Sequence, residues 1–292
     1  MRYDPNFKNY KRYYIYGIIF YAITLTINVF VIFLLFYLLI TITIHGLPVL
    51  SVDFFLNPPS RFAARSGIFP AIMGTFWLMI LTALFSIPMG VMAAIYLEEY
   101  SSKSSKFIEL VKLNIQNLAG IPSIIYGILG LSLFVRGIEL GRSLIAGALT
   151  MSLLILPTIT IATQEALRAI PDSFRFAGYG VGMTRWQVIR HQVLPVAMPG
   201  ILTGIILGLS RAIGETAPLI MIGALTFVAI APTSIMDSFT VIPIQIFNWT
   251  TLPQMEFHKL AAGAILVLIV MLLIMNSFAI YLRIVFQRKL SL

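Results

Sequence analysis

Arg211 and Glu215 stand four residues apart in the run LGLSRAIGETAPL, and the flanking runs MPGILTGIILGLS and LIMIGALTFVAIA carry no charge. In a regular helix such a pair shares one face. A charge near the middle of a bilayer costs on the order of 3 kcal/mol, so it must face the protein interior or a water-filled path. An arginine fork stays ionised and gives two parallel hydrogen bonds to a tetrahedral oxyanion. Glu215 would hold Arg211 in place while no anion is present. An ionised glutamate only accepts hydrogen bonds, so it repels any anion that brings no proton to share. Hydrogen phosphate carries such a proton near neutral pH and sulfate does not. The competing reading is a self-satisfied ion pair that fixes helix packing. Buried pairs are often neutral or unfavourable for stability, which makes packing a poor reason to keep one. Gly208 and Gly214 leave room beside the pair, and Pro218 is placed to kink the helix just beyond it.

The elements that must hold this pair are membrane spans. The chain has 292 residues, of which 59% are hydrophobic and 11% charged; soluble domains average about 25% charged. Six apolar stretches reach the roughly 20 residues that a spanning helix needs: about 13–44, 69–97, 113–135, 143–163, 196–231 and 260–282. The first is too long for a signal-peptide core and no small-residue cleavage site follows it. Lysine and arginine cluster on alternate sides. One side holds Arg2, Lys8, Lys11 and Arg12, then Lys103, Lys106 and Lys112, then Arg168, Arg175, Arg185 and Arg190, and finally Arg283, Arg288 and Lys289. The other holds Arg61, Arg65, Arg136, Arg142 and Lys259. The richer side is cytoplasmic by the positive-inside rule, which places both termini inside and demands an even number of spans. The net charge of +9 is therefore read as topology amid membrane lipid, not as a nucleic-acid surface. The outer segments 46–68 and 232–258 are rich in Pro, Ser, Thr and Asn, and serve either as a docking rim or as plain connectors.

The longest cytoplasmic loop, 164–195, is too short for a domain but has helix punctuation. Asp172 and Ser173 after Pro171 can cap a short helix near Phe174, and Gly178, Gly180 and Gly182 break it. Thr184 and Gln187 form a capping-box pattern for a second helix, over about 185–193, that Pro195 ends or bends. Phe174, Ala177, Val181, Trp186 and Ile189 make an apolar side; Arg175, Arg185 and Arg190 make a basic one. Such a pair either inserts into a cytoplasmic partner or lies on the membrane surface. No nucleotide-cradling G-x-x-x-x-G-K-[ST] loop occurs, and no nucleophile–base motif. Cysteine is absent, and His45, His191 and His258 are far apart, so no metal site is expected.

The loop resembles the cytoplasmic motif of type I ABC importer permeases, E-A-A, three residues, Gly, nine residues, then I-x-L-P. Its positions fall on Phe176, Ala177, Gly178, Gly182, Gln192, Leu194 and Pro195, with Phe176, Gly178 and Gln192 departing from the motif. SRAIGETAPL is similar to the signature of phosphate importer permeases, and so are NLAGIPSIIYG (117–127), GIFPAIMGT, IPMGVMAAIYLEEY and IPIQIFNWT. The ETAPL ending points to their A-type subunit. The resemblance implies an all-α integral membrane protein of six transmembrane helices with the MetI-like fold. Residues 1–66 would hold the tail, first span and outer loop, 67–282 the permease core, and 283–292 a cytoplasmic tail. It implies a heterodimer with a C-type permease, an ATPase dimer below, and an extracytoplasmic phosphate-binding protein above, in a bacterial or archaeal plasma membrane. ATP and magnesium would belong to the ATPase, and this chain would hold no cofactor. Arg211 and Glu215 would line the substrate path. Phe174, Phe176, Ala177, Gly178, Gly182 and Trp186 would form the coupling element. Gly120, Pro122 and Gly127 loosen the third span, where Ser123 and Tyr126 offer hydroxyls at helical spacing. That stretch is either a bent helix lining the path or a site of tight small-residue packing. Two alternatives remain: a permease for a related oxyanion, and a proton-coupled secondary transporter with Glu215 as relay.

Overall fold

The computed structural model describes residues 10–101, 105–224 and 228–290, and all regular structure in them is helical. Arg2, Lys8 and Lys103, used above for topology, lie outside the described residues. Helix α1 is Tyr10–Gly46; after a short α2, Val52–Leu56, comes α3, Phe69–Ile95. Next are α4, Lys106–Ala119, α5, Ser123–Gly130, and α6, Leu144–Arg168. The short helices of the loop 164–195 are α7, Asp172–Gly180, and α8, Arg185–Val188, followed by α9, Leu194–Gly214. The chain ends through α10, Ala217–Ile222, α11, Ile242–Thr251, and α12, Met255–Leu290. The tail expected at 283–292 thus continues the last helix as far as Leu290.

Five helices among the described residues are long and apolar enough to cross a membrane. The expected third span is not one of them. It is the bent pair α4 and α5, which turns through 104°. Pro122 lacks an N–H and pushes Ile121 away from helical geometry, and Gly120 ends α4. Six spans are reached only if this pair counts as one crossing. The expected fifth span, 196–231, is also corrected. Its helix stops at Gly214 and a six-residue helix follows. Pro218 is the cause: its ring conflicts with the carbonyl four residues before it, which is that of Gly214.

The core forms around α6, which packs against α3, α5 and α9. Its residues Met151, Ile155 and Ile159 are fully buried together with Leu78, Leu219 and Ile222. Close approach is built from small residues. Gly200, Gly204 and Gly208 recur every four residues along α9 and face Ala166, Ala162 and Ile159 of α6. A Cβ on Gly200 would lie 2.7 Å from that of Ala166. Such stripes let helices pack where no hydrophobic effect drives them together.

The outer segments are more than connectors. Phe54 and Ile68 from the first pack with Ile242, Trp249 and Phe257 from the second in one apolar cap. Phe239 sinks against Gly147, and the carbonyl of Thr240 sits on Gly74. The Ile242 amide donates to Thr75 Oγ1 at 3.0 Å. The same segment closes the start of α6: carbonyls of Asp237 and Ile235 accept from the Leu144 and Ile145 amides at 3.0 and 2.9 Å. Ser143 Oγ accepts from Ala146. Amides that a helix start leaves without partners are thereby satisfied. Asp237 is itself fixed by Thr233 and Ser234 amides, each at 2.8 Å. Backbone donation from Ser234 and then Thr233 holds its carboxyl below the usual range.

Candidate functional site

Arg211 lies in the last turn of α9 and Glu215 one residue beyond that helix, with extended backbone geometry. The two do not share a regular helical face, as the sequence suggested; the helix has already ended. They still meet, Arg211 Nε to Glu215 Oε1 at 3.3 Å, with side chains 42% and 20% exposed. That single long contact leaves both terminal nitrogens of the guanidinium without a partner among the described residues. The pair is therefore not self-satisfied. A fork with two free donors is the arrangement that takes an oxyanion.

Helix α5, which carries Ser123 and Tyr126, packs against α10, the helix just after Glu215. A Cβ on Gly127 would lie 2.7 Å from Pro218 Cα and 2.8 Å from its carbonyl oxygen, so α5 rests on α10 backbone to backbone. Gly130 meets Thr150 of α6 in the same way. Tyr126 belongs to the same apolar cluster as Ala212, the residue after Arg211. Tyr126 is buried, and its O–H donates to the Leu118 carbonyl at 2.8 Å. It thus ties the corner between α4 and α5, and only its oxygen lone pairs stay open to a ligand. Ser123 is half-buried at the first position of α5. In NLAGIPSIIYG the helix is bent by 104° and Gly127 packs tightly, while Gly120 meets nothing closer than 3.5 Å.

The knob formed by α7 and α8 is built as its punctuation suggested in one half only. Thr184 and Gln187 form a complete capping box. Asp172 and Ser173 do not cap α7; Pro171 occupies that position and no side chain caps it. Helix α7 runs through Gly178 to Gly180 and ends where Gly182 adopts φ +80. This left-handed geometry is open to glycine at little cost. Gly178 lies against Val188, 2.8 Å from where a Cβ would sit, so α7 presses directly onto α8. Pro195 does not end the second helix, because a wide π turn over Ile189–Val193 joins α8 to α9 in one continuous helical run. Such a turn relieves the clash of a proline ring with the preceding turn.

Phe174, Phe176, Ala177, Tyr179, Val181 and Trp186 are exposed on this knob, Phe176 to 69%. Ile189, expected on the same face, is instead fully buried with Leu167, Val188 and Val193. Arg175 is turned inward as well. It bonds Glu99 at 2.6 Å and the carbonyls of Leu167 and Ile170 at 3.1 and 2.9 Å. Its hydrogen bonds to Glu99 push the guanidinium above its ordinary pKa, so it stays charged. Arg185 stands over the Tyr100 ring at 5.1 Å. Among the described residues no three His, Cys, Asp or Glu gather as metal ligands.

Residues 86–291 match the model of the family described as binding-protein-dependent transport system inner membrane component. The probable ABC transporter permease protein YqgI of Bacillus subtilis is 30% identical over 264 residues, covering 86% of this chain and 89% of that protein. The phosphate transport system permease protein PstA 1 of Mycobacterium tuberculosis is 33% identical over 235 residues, covering 79% of this chain and 74% of its own length. A chain of a bacterial alginate ABC transporter, solved with an alginate-bound periplasmic protein, superposes with a TM-score of 0.66 at 19% identity. It covers 94% of this chain and 96% of that one, and shows a shared fold. The helices that carry the free arginine fork and the exposed knob thus lie within the matched region, and the chain belongs to the binding-protein-dependent transport system inner membrane components, with phosphate permeases among its relatives.

Proposed function

We propose that this chain is the A-type permease of an ATP-driven importer of inorganic phosphate. The observation that carries the reading is the Arg211 fork, held by one 3.3 Å contact and otherwise unpartnered among the described residues. It is a substrate-path subunit without a nucleotide site. ATP and magnesium are bound by a separate ATPase dimer, whose groove receives the knob through Phe174, Phe176, Ala177, Gly182 and Trp186, while Gly178, expected among them, is buried and packs α7 onto α8. A C-type permease completes the path from the other side, and an extracytoplasmic binding protein delivers phosphate to the outer cap. Both termini lie in the cytoplasm of a bacterial or archaeal cell, and the spans lie in its plasma membrane. Closing of the ATPases on ATP moves the knob and opens the path outward; hydrolysis resets it.

The test is uptake of labelled phosphate into liposomes holding the full complex, with ATP enclosed in the lumen beside the ATPase and binding protein added outside. Uptake that follows ATP supports the reading, and uptake driven by a proton gradient without ATP overturns it. Two variants sharpen it. Glu215→Gln removes the repulsion of unprotonated anions, so sulfate competes about ten-fold better against phosphate, a shift of roughly 1.4 kcal/mol. Unchanged competition would remove Glu215 from the filter. Phe176→Asp with Trp186→Ala places a charge in, and empties, the apolar knob. ATPase that copurifies with the permease falls at least about ten-fold, the scale of losing central interface anchors.

A further inference from the structure

Two adjacent acids, Glu98 and Glu99, close the inner end of α3 in a wide π turn, Tyr96–Tyr100. Their side chains are 9% and 6% exposed. Glu98 Oε1 accepts from Lys112 Nζ at 2.8 Å, from Arg168 Nη2 at 2.7 Å and from Gln164 Nε2 at 3.2 Å. It therefore joins α3 to α4 and α6. Glu99 takes Arg175 of α7 through Nη2 at 2.6 Å to one oxygen and Nε at 3.2 Å to the other. Nη1 of Arg175 reaches the Ile170 carbonyl and Asp172 Oδ1, the latter at 3.2 Å. Every nitrogen of that guanidinium is engaged.

The knob is thus held in two ways. Its outer side chains are free for a partner, and one inward arginine straps it to a different span from those that flank it in sequence. A bidentate fork resists both sliding and rotation. Removing one member leaves a buried charge alone, so the pair stays joined while the helices move. We propose that the Arg175–Glu99 pair is the tie through which motion of α7 reaches α3, so that both are positioning residues for coupling and not for docking. This rests on the reading of α7 as the ATPase-docking knob.

The experiment uses the complete transporter in liposomes, with phosphate uptake and ATP hydrolysis measured in the same vesicles. Arg175→Gln and Glu99→Gln are expected to keep the ATPase bound and its basal hydrolysis within about three-fold, while phosphate moved per ATP falls about ten-fold, the scale of an inter-site coupling. Arg175→Lys, which keeps the charge, recovers most of that ratio. A ratio unchanged in both Gln variants overturns the proposal, as does a proportional fall of uptake and hydrolysis. Loss of assembled complex in both makes the pair structural and overturns it too. If the unaltered complex hydrolyses ATP but moves no phosphate, the substrate reading fails first. Coupling is then read from ATP hydrolysis with and without binding protein, and equal stimulation in wild type and Arg175→Gln overturns the tie.

Discussion

Vesicles carrying Arg211→Ala take up phosphate at least about a hundred-fold more slowly than those with the unaltered chain. Each hydrogen bond to a charged partner contributes about 1.5–3 kcal/mol, and the fork can make two. The variant loses that in the path and little in stability. Arg211 is 42% exposed and makes one contact at 3.3 Å, and exposed pairs of this kind are worth about 0–1 kcal/mol. Complex of normal yield and normal thermal stability is therefore expected, with its ATPase bound but uptake abolished. Arg211→Lys should fall between, since it keeps the charge and loses the planar fork. Uptake unchanged in Arg211→Ala would sink the path assignment. A matching loss of stability would return the pair to helix packing.

The second large effect is steric. Gly127→Val should cost about 3 kcal/mol or more, because overpacking a tight contact costs about 1–3 kcal/mol even for small additions. The obstacle is backbone: Pro218 Cα at 2.7 Å and its carbonyl oxygen at 2.8 Å from the added Cβ, with Met221 Cβ also at 2.7 Å. Helix α10 has to move, and Glu215 and Thr216 move with it. The complex should aggregate at a lower temperature in detergent, and whatever remains folded should transport poorly. Gly17→Ala, with nothing within 4 Å of its Cβ, is the control and should change neither. Normal stability and uptake in Gly127→Val would mean that α5 does not rest on α10.

What the sequence disclosed follows from the range of each signal. Long apolar runs announce spans: α1 and α3 stand within three residues of where hydropathy put them, α6 runs five residues further, and α12 begins five earlier and ends eight later. The capping box at Thr184 is a four-residue signal and is present. The end of α9 was also legible, since Pro218 forbids a helical carbonyl at Gly214, but hydropathy runs straight across it. Which way a polar side chain turns is harder. Arg175 and Ile189 were placed on outer faces because a basic or an apolar side was expected there. Their true partners, Glu99 in one case and Leu167 with Val193 in the other, come from elsewhere in the chain. Charge balance offered a clue. Glu98 and Glu99 are the acids at the inner end of α3, and Lys112, Arg168 and Arg175 are the bases that reach them. Of the π turns over Tyr96–Tyr100 and Ile189–Val193, only the second has a mark in the sequence, the Pro195 just after it.

The glycine stripe of α9 has a mechanical consequence. Where Gly200, Gly204 and Gly208 meet Ala162, Ala166 and Ile159, the backbones are too close for side chains to rearrange. The two helices form a plank. Toward α12 the neighbours of α9 include Leu209, Met271 and Met275, and the unbranched methionines repack at low cost. Among the described residues one hydrogen bond joins α9 to α12, near the end of α9, where Ser210 Oγ donates to Asn276 Oδ1 at 2.6 Å. Stiffness is therefore uneven around α9: a rigid board with α6 on one side, and on the other a looser seam with that one latch among the described residues.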